Sequence, residues 1–119
     1  MLGGIHMLTI EKLKEYGADA DKGLSRCGNN ESLYLRLVKI CIQEITADAL
    51  GAALKEGDLD RAFDVVHKWK GGVNNLALDP IAAPVCELTE LLRSKTPGDY
   101  EKLHGDILKA TAVIASLMN

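Results

Sequence analysis

The chain has 119 residues, enough for one domain and hardly two. Hydrophobic residues make up 47% of it and aromatics only 4%, so a single core can form and must be aliphatic, and the abundance of Leu, Ala, Lys and Glu favours helix over sheet. A net charge of −3 argues against a nucleic-acid partner, which selects a basic face, and no apolar run approaches the roughly 20 residues of a membrane span.

Met1 to His6 lack the charged and apolar blocks of a secretion signal, and Met7 opens the first patterned segment. Residues 1–7 are read as a leftover or disordered start, and residues 8–119 as one helical bundle domain. Thr9 can cap a short helix through Tyr16, stopped by Gly17. A second short turn runs from Asp19 to Cys27 and stops at Gly28. Both read as an N-terminal cover. Asn30 caps a predicted long helix over Glu31–Glu56, ended by Gly57. Leu33, Leu37, Ile40, Cys41, Ile45, Leu50 and Leu54 mark its apolar stripe. Asp58 caps the next helix, from Leu59 to about Leu76.

Asp79-Pro80 reads as a cap followed by proline at the first helical position, opening a helix to about Ser94. Pro84 sits awkwardly there, because it removes a hydrogen bond one turn in. Either the first turn is irregular or the regular helix begins near Pro84. Thr96-Pro97-Gly98-Asp99 opens the last helix, with Asp99 placed as the acidic partner of a capping box. Tyr100, Leu103, Ile107, Ala110, Ile114 and Leu117 then recur at steps of three and four. Four substantial helices on short connections imply an all-α fold: an up-down-up-down antiparallel four-helix bundle with short N-terminal covering helices.

Cys27, Cys41 and Cys86 are far apart and odd in number, with no metal-site spacing. They are expected to be buried reduced thiols, which with the missing signal points to the cytoplasm. Glu101-Lys102-Leu103-His104 matches once the Glu-x-x-His spacing that metal-binding bundles project into their cores. It has no second copy, so His104 is read as a surface or boundary residue. His6 falls in the suspected remnant. No metal or cofactor of its own is expected.

The informative stretch is Arg61 to Leu78. Wound at about 100° per residue, it brings Ala62, Val65, Val66, Trp69, Val73 and Leu76 to one side, which must be core. His67 falls nearly opposite, among Asp60, Phe63, Asp64, Lys70, Gly71 and Asn74. A solitary surface histidine is usually only that, and Lys68 and Lys70 alone read as solvated charges. Gly71 and Gly72 could instead mark close helix packing, and Phe63 could tuck under the N-terminal cover. Yet each mid-helix glycine costs about 1 kcal/mol relative to alanine, and Phe63 is the single phenylalanine of the chain. One chemistry gives them a common reason. An exposed neutral imidazole can attack a phosphoryl group presented by another protein, a nearby cation offsets the oxygen charge, glycine clears the approach, and Phe supplies an apolar contact.

The run His67-Lys68-Trp69-Lys70-Gly71-Gly72-Val73-Asn74-Asn75-Leu76-Ala77-Leu78 resembles the signature of histidine-containing phosphotransfer (HPt) domains. That signature has a histidine, a lysine three positions on, a glycine four on, and small residues before an Asn-Leu-Gly-like ending. Here the ending carries Ala77 in place of the usual glycine. The order of a long helix, Glu56-Gly57-Asp58-Leu59 and a histidine helix is also similar to the family's, as is the start from Tyr16-Gly17-Ala18-Asp19 through Leu24-Ser25-Arg26-Cys27 to Tyr34-Leu35. The likeness covers about residues 8–118. Asn74 stands where members often carry Gly, Ala or Ser, and Pro84 is unusual in the following helix.

The resemblance implies a phosphocarrier in a multistep two-component phosphorelay. His67 would take the phosphoryl group from a receiver aspartate, through its Nε2, and pass it to a second receiver. Lys70, with Lys68, would steady the phosphoryl charge, and Phe63, Asp64, Lys68, Gly71 and Asn74 would form the receiver docking face. The implied partners are response-regulator receiver domains, which bring their own Mg²⁺, and a hybrid sensor histidine kinase. The chain shows no Gly-rich nucleotide loop and no catalytic carboxylate cluster, so no ATP-dependent kinase activity of its own is expected. Transfer is expected to fall under acid conditions that protonate the ring. Two rivals stand beside this: an HPt-like module that docks a receiver without taking phosphate, and an unrelated four-helix protein. A free-standing bacterial monomer is the expected setting.

Overall fold

The computed structural model describes residues 7–118. The reading of the start as a remnant, and His6 with it, lies outside the described residues except at Met7. Among the described residues the chain is all-helical, with no strand. Seven helices follow in order: α1 (Ile10–Tyr16), α2 (Ala20–Arg26), α3 (Glu31–Thr46), α4 (Ala49–Lys55), α5 (Leu59–Asn75), α6 (Asp79–Arg93) and α7 (Tyr100–Ser116). α5 packs against α6, α6 against α7, α4 against α5, and α3 against α7 and α5. A single core cluster runs from Leu8 to Ile114.

Most helix starts follow local capping chemistry. The side chains of Thr9, Asp19, Asn30 and Asp58 each accept from the backbone N–H three residues on. Gly17 closes α1 at φ 112°, a conformation open to glycine. α5 ends in a Schellman turn: the Leu78 N–H reaches the Val73 carbonyl and the Ala77 N–H that of Asn74. Ala77 takes the left-handed position there, at φ 57°.

The structure corrects the sequence reading at four helix boundaries or faces. The long helix over 31–56 is two helices. The chain breaks at Asp48, which turns left-handed (φ 54°) and caps α4 by accepting from the Gly51 N–H. Aspartate tolerates that conformation better than most residues. The buried face of α3 is Tyr34, Val38, Ile42 and Ile45, while Leu33, Leu37 and Cys41 are only partly buried and Ile40 is 45% exposed. α6 is capped by Leu78 without a side-chain bond, so Asp79 and Pro80 are its first two residues, and the helix runs unbroken through Pro84. Having no N–H, that proline offers no bond to the Pro80 carbonyl. Asp99 is itself the cap of α7, accepting from the Lys102 N–H, and Thr96 pairs with Ser94 instead.

Candidate functional site

α5 is amphipathic because its apolar residues recur at three and four. Ala62, Val66, Trp69, Val73 and Leu76 are buried and Val65 is partly buried. Burying the indole of Trp69, four-hundredths exposed, fixes the rotation of the helix. It turns His67 outward. His67, Lys68, Asp64, Gly71 and Asn74 are exposed, and Phe63 and Lys70 are half-buried.

The half-buried pair faces α6. Along this seam Lys95 meets Asp60 (3.2 Å), the Arg93 guanidinium lies over the Phe63 ring (5.1 Å), Glu90 meets Lys70 (3.7 Å), and Cys86 meets the Asn74 amide (3.6 Å). From Lys95, just past α6, the partners descend along α6 as they ascend on α5, so the two helices run antiparallel. His67 sits between the Phe63 and Lys70 contacts. Its imidazole stacks on Phe63, with centroids 5.3 Å apart and the planes 12° from parallel. Phe63 is thus held between the imidazole and a guanidinium, and does not tuck under the N-terminal helices.

On its other flank α5 borders α3 across an open groove of about 480 Å³, lined by Leu37, Ile40, Cys41, Lys68, Gly71 and Gly72 among others. Lys68 leans across it toward Glu44 (3.9 Å). A Cβ on Gly72 would touch the Cys41 sulfur at 3.4 Å, ordinary contact, whereas nothing beyond the adjoining helix backbone and chain neighbours lies within 4 Å of one built on Gly71. The two glycines therefore differ: a methyl on Gly72 would meet Cys41, and one on Gly71 would meet open space. His67 stands on the ridge between groove and seam.

Burial pushes the Cys41 thiol up to about 11, with Glu44 adding to it, so this sulfur stays protonated near neutral pH. All three cysteines are free; Cys27 is buried, but Cys41 and Cys86 are only partly so. His104 is a boundary residue, its Nε2 2.8 Å from the Asp48 carboxylate, and no cluster of three potential metal ligands occurs among the described residues.

The sequence reading missed Glu90, Arg93 and Cys86, which α6 brings to the histidine face. They stand on a different helix, so the spacing within α5 does not reveal them. No family model, curated protein or solved structure matches the chain.

Proposed function

We propose that the chain is an HPt-like phosphocarrier, taking a phosphoryl group on His67 from the aspartyl phosphate of one receiver domain and yielding it to another. In this reading α3 with α4, α5, α6 and α7 are the arms of an up-down-up-down four-helix bundle, and α1 and α2 are its cover. The observation that carries it is the clear approach to His67: an exposed imidazole whose neighbour one turn on, Gly71, leaves space where any other residue would project a side chain. The imidazole lone pair forms the P–N bond as the P–O bond to the receiver aspartate breaks, and the aspartate leaves as a carboxylate. Lys70, one helical turn from His67, supplies positive charge. The receiver supplies the Mg²⁺ and the acidic pocket, and a hybrid sensor kinase upstream supplies the phosphate. A cytoplasmic setting fits the three free thiols, and no helix among the described residues is long and apolar enough to cross a membrane.

Incubation with a panel of phosphorylated receiver domains tests this. The expected product is an acid-labile, base-stable phosphate on His67, found by mass spectrometry and absent from His67→Gln, whose circular dichroism stays helical. Label retained by that variant refutes the site. Receivers that bind without passing phosphate leave only a docking module.

A further inference from the structure

We propose that Glu90 is a positioning residue that holds Lys70 in reserve and releases it to the phosphoryl group once His67 is loaded. This rests on reading His67 as the acceptor. One carboxylate oxygen, Oε2 of Glu90, lies 3.7 Å from the Lys70 ammonium and 3.4 Å from Nε of Arg93. Arg93 in turn covers the Phe63 ring, and Phe63 stacks on the imidazole. His67 is therefore enclosed on its α6 side by a chain of contacts from Phe63 through Arg93 and Glu90 to Lys70. The carboxylate sets its negative charge against two cations of the histidine face, Lys70 and Arg93.

Loading changes the competition. A phosphoryl group brings about −1.5 to −2 charge and three strong acceptor oxygens. The Glu90 side chain is 60% accessible and that of half-buried Lys70 32%, and a pair this open to solvent is weak. Lys70 therefore exchanges one anion for a stronger one without rearrangement of the helices. Glu90 is left facing the phosphoryl group and repels it. The loaded state is destabilised just enough to favour onward transfer, which is what a carrier, as opposed to a store, requires.

Phosphoramidate tests this without a receiver, because it loads exposed imidazoles directly: its P–N bond breaks, the new bond to the ring nitrogen forms, and ammonia leaves. His67→Gln establishes that the label is on His67. Loss of phosphate is then timed in the otherwise intact protein, in Glu90→Gln, in Lys70→Ala and in the double variant. Glu90→Gln is expected to lengthen the lifetime about fivefold, the scale of one exposed charge interaction. Lys70→Ala is expected to shorten it, and the Glu90→Gln gain is expected to shrink in the Lys70→Ala background. An unchanged lifetime in Glu90→Gln overturns the proposal, and so does a gain undiminished without Lys70. An imidazole at 67 that takes no label overturns it outright. Receivers that fail to load a protein which phosphoramidate does load sink only the relay reading.

Discussion

Gly71 sits in the interior of α5 with no atom, its own turn of helix backbone and chain neighbours aside, within 4 Å of where a Cβ would stand. Nothing in the fold needs the missing side chain there. Its backbone is helical, so no left-handed turn explains it either. Alanine at that position should raise stability by about 1 kcal/mol, the difference in helix propensity. If the space is an approach path, the same methyl obstructs an incoming receiver. Gly71→Ala is therefore expected to unfold at higher urea concentration and yet to accept phosphate from receivers more slowly, while phosphoramidate, a small reagent, loads it normally. Gains in both stability and receiver transfer would show that the clearing serves no partner. Gly72, packed on the Cys41 sulfur, offers no such contrast.

At the scale of elements, legibility followed locality. The caps at Thr9, Asn30 and Asp58 are decided within three residues, and each was readable. So was the buried face of α5, because one unbroken helix keeps one phase and the Trp69 ring fixes it. The end of α3 was not readable. Its break has no Gly or Pro to mark it, and Asp48 is held in its left-handed turn by His104 from α7, 56 residues away. The α3 stripe lacks Tyr34, which is buried and whose hydroxyl finds the Leu76 carbonyl inside the core. The charged surroundings of His67 were hidden for a related reason: Glu90 and Arg93 reach it across a helix pair. Asp48 thus carries two duties, capping α4 and binding α7. Asp48→Ala forfeits the cap and places an alanine in a left-handed turn, and should cost about 2 kcal/mol. Asp48→Asn keeps the cap, the turn and a bond to His104, and should recover most of that loss in urea unfolding. Equal losses in the two variants would mean that the break is held by something other than this side chain.

Across the whole molecule, the short N-terminal helices meet the bundle where phenols and a guanidinium bond to backbone carbonyls. The Tyr16 hydroxyl donates to the Ala110 carbonyl of α7 (2.7 Å), and that of Tyr34 to the Leu76 carbonyl at the end of α5 (2.8 Å). Arg26 on α2 reaches the Asn74 carbonyl (2.6 Å) beside it. A Cβ on Gly23 would come within 2.6 Å of the Leu76 oxygen and 2.5 Å of the Tyr34 ring, so α2 lies directly on this junction. Burial pushes both phenols up, that of Tyr34 to about 12, with Cys27, Asp19 and Asp79 adding to it. The unfolded chain gives up the Tyr34 proton near pH 10 while the folded chain holds it to about 12. The phenol's contribution is therefore complete below pH 10 and is lost as pH rises to 12. Thermal unfolding is expected to show Tm falling steeply across that window. Tyr34→Phe starts less stable, since the Leu76 carbonyl loses its donor, at a cost of about 1–2 kcal/mol. Its Tm should decline less steeply, because one titrating group is gone and the lysines, thiols and Tyr16 are shared by both proteins. Parallel Tm curves from pH 9 to 12 would show that Tyr34 keeps no tighter hold on its proton in the folded chain, and that the junction under α2 is wet.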